Sequence, residues 1–240
     1  MTPRTAVVTQ PTYLPWLGYF EALARADVYV VLDTVQLERR SWQTRNRLKG
    51  ADGEPFWLTV PLRKSGRDTA IADVRLADDG SWRERHLRAI RSALGTAPHF
   101  DECYPAVEAW LTRDHERLVD LNLDGIRTVC ERLGIAPEIR TASEFGFETH
   151  RSELLVDLCR AVGADHYYSA AGAADYLDAD RGLFDAVGIT VEYQQWEHPV
   201  YQQRGPGFQA RMAAVDPLAH LGTIDTALTI GVRAGERRAQ

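Results

Sequence analysis

Two short apolar runs joined by a proline-bearing loop constrain this fold more than any other stretch. Ala6-Val7-Val8 and Val28-Tyr29-Val30-Val31-Leu32 each read as a strand buried within a sheet. Between them lies Thr9-Gln10-Pro11-Thr12-Tyr13-Leu14-Pro15-Trp16-Leu17-Gly18-Tyr19-Phe20, and Phe20 to Ala26 has the apolar spacing of a short helix. Strand, loop, helix and strand form a βαβ unit, and such units build parallel sheets. In open parallel sheets, ligands bind beyond the carboxyl ends of the strands. Gln10 and Asp33 stand at two such ends. Pro11 and Pro15 stiffen the loop, and Gly18 is expected to let backbone approach a ligand. Tyr13 and Trp16 either floor the site or cap the sheet.

The rest of the chain fits the same class. Pro55 to Leu62 reads as a strand and, with Arg47-Leu48-Lys49, as a hairpin around the Asp52-Gly53 turn. Ile71 to Leu76 reads as a short alternating strand. From Ser81 the character turns helical, with helices expected from Ser81 through Leu94, over Pro105–Leu111 and over Arg117–Leu133, the last closed by Gly134. His86 falls on an apolar stripe, where a histidine is more often a satisfied core residue than a catalytic one. Asn122 interrupts an apolar face and needs buried partners. Further strands are expected at Ile135–Ile139, Asp165–Ser169 and Ile189–Tyr193, with helices at Ser152–Val162 and Asp216–Leu221 and a helical or turn-like stretch at Tyr176–Phe184. The tail after Ile230 is expected to fray. The sum is an α/β fold with a mainly parallel sheet, flanking helices, a Rossmann-like N-terminal βαβ unit and a helical middle segment. It is read as one domain over residues 1–240.

Composition excludes several classes. A net charge of −6 argues against a general nucleic-acid binder but leaves room for a local basic patch. No C-x-x-C pair joins Cys103, Cys130 and Cys159, so a zinc site built on cysteine is not expected; no metal-ligating residue is assigned, and the odd count suits reduced thiols in a cytosol. No apolar run is long enough to span a membrane, and no basic segment followed by a long apolar run opens the chain. A cytoplasmic protein without membrane association is expected.

One segment departs from the acidic average. Glu38 to Lys49 carries five basic residues against one acidic, a local charge of +4, with Trp42 interleaved. Arg45 and Arg47 are expected to hold a phosphate or carboxylate. No Gly-x-Ser-x-Gly elbow, Walker loop or dinucleotide fingerprint appears. What remains is a polar set near strand ends: Gln10, Asp33, Gln36, Arg45, Asn46, Arg47, Ser169, Gln195, His198, Tyr201 and Gln202. His198 and Asp33 are the candidate proton acceptors. Tyr13, Trp16, Gln10, Gln36, Arg45, Asn46, Arg47, Ser169, Tyr201 and Gln202 are the candidate substrate contacts. Taken singly, each of these is better read as a loop or surface residue.

The motifs carry a resemblance. Gln10-Pro11-x-Tyr13-x-Pro15-Trp16-x-Gly18-Tyr19-Phe20, Asp27-Val28-x-Val30-x-Leu32-Asp33-x-Val35-Gln36 and Arg40-Ser41-Trp42-Gln43-x-Arg45-Asn46-Arg47 resemble the WbqC-like family. Trp57-Leu58-Thr59-Val60-Pro61, His86, Asn122, Gly163-Ala164, Asp175-Tyr176-Leu177 and His198-Pro199-x-Tyr201-x-Gln203 also fit, so either Gln202 or Gln203 is the family glutamine. The resemblance runs from about residue 5 to about residue 222. Ala219-His220-Leu221-Gly222 departs from it, where the family tends to carry Phe-Asn before a glycine. The resemblance implies a place in surface-polysaccharide (O-antigen) or other biosynthesis. It also implies a glycine-type aminoacyl or acyl transfer to an amine of a sugar or other intermediate. The implied partners are a small-molecule substrate and an aminoacyl or acyl carrier, a charged tRNA being the one nucleic acid in view; no cofactor is assigned. Two rivals stand beside it. The early loop also resembles that of nucleotidyltransferases and pantothenate synthetase, but Leu14 to Tyr19 lacks their histidines. A non-catalytic binding protein of a biosynthetic pathway is the other.

Overall fold

The computed structural model describes residues 3–77 and 81–232. In chain order the elements are β1 (Thr5–Thr9), α1 (Leu17–Arg25), β2 (Val28–Val31), β3 (Arg45–Lys49) and β4 (Pro55–Thr59). The helices α2 (Ser81–Leu94), α3 (Phe100–Thr112) and α4 (Leu118–Leu133) follow. After them come β5 (Glu138–Thr141), α5 (Arg151–Ala161), β6 (His166–Ser169), α6 (Ala174–Ala179), α7 (Arg181–Asp185), β7 (Thr190–Tyr193) and α8 (Val215–Thr229). The chain divides into two compact units. One takes residues 3–10, 21–34 and 137–197; the other takes 11–20, 35–77, 81–136 and 198–232.

The first unit is an α/β layer. Its five strands are ordered β5-β2-β1-β6-β7, and every pairing is parallel. The expected pairing of the first two runs holds, from Ala6 opposite Val28 to Thr9 opposite Val31. From β1 the chain moves to β2 and then β5 on one side, and returns to β6 and β7 on the other. The strand order therefore reverses beside β1, and the crevice at the carboxyl ends of β1 and β6 is the topological switch point. Ala6, Val8, Val28, Val30, Tyr167 and Val191 pack with Leu154, Leu158 and Cys159 of α5 and with Phe184 of α7.

The second unit holds the hairpin and the longer helices. The hairpin β3–β4 pairs Arg45 with Thr59 and Arg47 with Trp57. Helix α3 packs on α4 and α8. Gly134 closes α4 in a left-handed conformation (φ 70°), as its sequence position predicts.

Some expectations shift. Ile71 to Leu76 is not a strand: Asp73 N–H bonds Ala70 O and Val74 N–H bonds Ile71 O, giving a 3-10 turn at Ile71–Asp73. Its apolar residues still turn inward, since Ile71, Val74 and Leu76 are all buried, but their spacing follows the 3-10 turn rather than a strand's alternation. Helix α3 starts at Phe100, so Pro105 lies inside it rather than at its head. Helix α8 runs beyond Leu221, with a break at Gly222 (φ 78°). Residues 233–240 of the tail lie outside the described residues.

One close approach fixes the helical packing of the second unit. A Cβ on Gly125 would lie 2.4 Å from the Trp110 ring. Trp110 cannot easily retreat, because its Nε1–H donates to Leu121 O at 2.9 Å and the residue is 2% exposed. Gly125→Ala is therefore expected to destabilise the protein by roughly 1–3 kcal/mol, despite alanine's better helix propensity. Urea unfolding of the variant against the native chain checks this.

Candidate active site

The loop after β1 is buried although it has no regular structure. Pro11, Tyr13, Leu14 and Pro15 are all buried. Backbone groups in such a place must find partners, and two asparagines supply most of them. Asn122, 1% exposed on α4, donates from Nδ2 to Pro11 O (3.0 Å) and to Gln43 O (2.8 Å). Asn46, 2% exposed on β3, donates from Nδ2 to Leu14 O (2.5 Å) and Tyr13 O (3.3 Å). Tyr13 N–H bonds Trp42 O and Ala214 N–H bonds Pro15 O. Leu14 is held with φ 46°, a left-handed conformation costly for a branched side chain.

Tyr13 is fully buried, and its hydroxyl lies 2.8 Å from His86 Nδ1. Burial pushes His86 down to about 4, against the pull of a hydrogen bond to the Thr59 carbonyl. The ring is neutral: Nε2–H donates to Thr59 and Nδ1 accepts from Tyr13. Tyr13 and His86 thus form an internal support for the loop.

Trp16 points elsewhere. Its indole stacks on His198, with centroids 6.2 Å apart and planes 12° apart. Arg211 lies over the same indole at 5.7 Å. Gly18 explains the stacking geometry, because a Cβ there would come within 2.2 Å of the Trp16 ring. The glycine makes room for an indole, which replaces the expectation that it admits a ligand.

His198 is half-buried and also stacks on Tyr201 at 6.2 Å. Its Nδ1–H donates to Pro199 O at 2.8 Å, which leaves the lone pair on Nε2. Burial holds its pKa below 6.5, against the opposing influence of the Pro199 carbonyl and Asp216. Tyr201 donates to Asp216 Oδ1 at 2.7 Å. Asp216 is 1% exposed, and Gln203 Nε2 reaches the same oxygen at 3.1 Å. His220 Nδ1–H donates to Asp216 O at 2.9 Å, and its Nε2 accepts from Arg204 N–H at 3.2 Å. Of the two candidate glutamines, Gln203 is buried in this network and Gln202 is exposed.

The remaining candidates of this unit lie on its outer faces. Arg45 and Arg47 share one face of β3 with Trp57 and Thr59 of β4. Gln36 is exposed, with Nε2 donating to Arg67 O at 2.5 Å.

The first unit holds Gln10, Asp33 and Ser169, with Gln195 exposed. Gln10 follows β1 and Ser169 ends β6, so both flank the switch point. Asp33, 3% exposed, accepts from Ser143 N–H (3.0 Å) and Ser143 Oγ–H (2.7 Å). Both its oxygens tie the end of β2 to the turn after β5. Sequence reasoning passed over Glu21, which is 1% exposed on α1. Its carboxylate accepts from Gln194 Nε2 (2.6 Å), from Tyr168 Oη (3.3 Å) and from Arg25. Asp216 and His220 were passed over likewise. Only the break of apolar spacing at each marked them, and it marks surface acids equally. Among the described residues no cluster of His, Cys, Asp and Glu could hold a metal ion, and no helix is long and apolar enough to cross a membrane.

Residues 10–227 match the WbqC-like protein family. The chain belongs to that family. It is also 29% identical to Rv1507c of Mycobacterium tuberculosis, an uncharacterized protein, over 91% of this chain and 94% of the other. No solved structure matches it. Within the second unit, Asn46, Asn122, His86 and Tyr13 build the loop, whereas Trp16, His198, Tyr201 and Gln203 build the stacked polar centre beside it.

Two outcomes are expected. Gly18→Ala should displace the Trp16 indole and abolish its ring-current shift on the His198 imidazole protons, read by proton NMR; an unchanged shift would refute the steric assignment. His86 carries the pH dependence. An unfolded imidazole binds a proton near 6.5 and the folded one only near 4, so the stabilisation is complete above pH 6.5 and lost as pH falls toward 4. The loss amounts to roughly 3 kcal/mol. Urea unfolding between pH 7 and pH 4.5 should show it, and His86→Asn should flatten that part of the curve.

Proposed function

We propose that this WbqC-like protein is an aminoacyl or acyl transferase of the glycine type, acting on an amine of a sugar or other biosynthetic intermediate. The observation that carries the reading is His198: a half-buried imidazole with its tautomer set by Pro199, its plane set by Trp16, and its pKa held below 6.5 by burial. Such a ring is neutral at pH 7 and can accept a proton. The acceptor's amine nitrogen attacks the carbonyl carbon of the donor, and a C–N bond forms. His198 Nε2 takes the amine proton. The bond from carbonyl carbon to the carrier's oxygen or sulfur breaks, and the proton passes to that leaving atom. Trp16 and Tyr201 would flank the acceptor. Within the first unit, Gln10 and Ser169 are separate polar candidates at the strand ends, and Asp33 holds the end of β2. Arg45 and Arg47 would grip an anionic group.

The test is a transfer assay with amine-bearing nucleotide sugars as acceptors and aminoacyl or acyl carriers as donors, read by mass spectrometry. His198→Gln is expected to lower turnover roughly 100-fold with KM little changed. Turnover of the native enzyme should fall as pH drops below 6.5, because protonated His198 cannot accept a proton; the variant's residual activity should lack that limb. Normal turnover in His198→Gln removes it from the mechanism. Release of pyrophosphate from ATP during turnover would replace the reading with a nucleotidyltransferase-like ligase.

A further inference from the structure

The outer face of the β3–β4 hairpin presents two indoles and two unpaired cations. Trp42 is 47% exposed and Trp57 is 42% exposed, with centroids 5.4 Å apart and planes at 40°. The Arg45 guanidinium lies 4.0 Å from the centroid of the Trp57 ring. The Arg47 guanidinium lies 5.5 Å from Trp57 and 5.7 Å from Trp42. Neither guanidinium makes a hydrogen bond or ion pair with any described residue, and the Nε atoms of both are buried without a partner. Elsewhere in this chain arginines are routinely paired, as Arg113 is with Asp124 and Arg117 with Asp120. Exposed tryptophan leaves apolar surface in water, and the guanidiniums held over it by cation–π contact have no anionic partner among the described residues.

We infer that this face binds a single-stranded nucleic acid, its bases stacking on Trp42 and Trp57 and its phosphates accepting from Arg45 and Arg47. Aromatic platforms beside cations are how single strands are held without base pairing. The choice of a strand over a small nucleotide follows from shape. Arg45, Arg47 and Trp57 share one face of the two-stranded ribbon, and Trp42, just ahead of β3, packs beside Trp57 with both indoles exposed, whereas small ligands are held in concavities. None of the four lines the small apolar concavity between Leu14, Pro15, Trp110, Gly125, Val129 and Val215. The exposed Arg39 and Arg40, just upstream, extend the positive charge in an otherwise acidic protein. The inference does not depend on the transferase reading, because binding is measured without turnover.

The experiment is fluorescence titration of the full chain with a short labelled oligoribonucleotide at low salt, followed by a salt series, with heparin and ATP as comparison ligands. Binding in the micromolar range with quenching of tryptophan emission is expected. Arg45→Gln combined with Arg47→Gln should weaken it about 10-fold or more and reduce the salt slope by roughly one unit. Trp57→Ala should weaken it about 10-fold with little change in slope. Thermal melts establish that both variants fold. The inference is overturned by absence of binding in the native chain. It is equally overturned if heparin binds as tightly and Trp57→Ala changes nothing, since charge alone is then at work, or if ATP matches the oligonucleotide.

Discussion

Everything on the aromatic side of the second unit depends on satisfying the backbone of one buried loop. Residues 11–15 lie inside the protein without strand or helix, so their carbonyls have no ladder to join. An unmade hydrogen bond in such a place costs about 1–3 kcal/mol. Asn122 and Asn46 replace the ladder with side-chain amides, and Ala214 and Trp42 close the remainder. Each asparagine donates two bonds from one nitrogen, which a hydroxyl could not do. With the backbone fixed, Trp16 has a defined direction, and the stacking on His198 follows.

The parallel sheet was legible because strands buried on both faces leave a distinctive apolar run, and Val28 to Val31 is entirely buried. The hairpin was legible from Asp52-Gly53. Less local features were not. Asn122 announced a need for partners, yet its partners lie 111 and 79 residues away in the chain. Gln202 and Gln203 differ only in which side of an irregular segment they face, and no strand pairing set that parity. Glu21 and Asp216 carry no mark of burial in the sequence, since a buried carboxylate differs from an exposed one only through neighbours brought by the fold. Gly18 was misread because the sequence shows a missing side chain but not what fills the space. Pro105 was taken for a helix start, its commonest helical position. In the fold its absent N–H costs one bond, while Phe100, Cys103 and Tyr104 ahead of it are buried.

Two histidines of the second unit illustrate how one physical effect serves two ends. Burial lowers the pKa of both His86 and His198. His86 spends both ring nitrogens on Tyr13 and Thr59, so its neutrality is structural and its protonation would break the loop's support. His198 commits Nδ1 to Pro199 and retains the lone pair of Nε2. The first is a residue that must not titrate; the second has the form of one whose titration is useful.

Two of the four left-handed non-glycine residues among the described residues lie at the same centre. Leu14 (φ 46°) and Arg211 (φ 60°) are both left-handed without being glycine, at a cost of order 1–3 kcal/mol each. They flank the antiparallel bridge between Trp16 and Ala213, and Ala213 N–H also bonds Arg47 O. Strain of this kind persists only where surrounding bonds over-determine the conformation. Here those bonds are the two buried asparagines, the bridge and the Tyr201–Asp216–Gln203 network. Their combined effect is to hold an indole and an imidazole stacked, with planes 12° apart. The strain at Leu14 and Arg211 is therefore best understood as the energetic counterpart of a preset Trp16–His198 geometry.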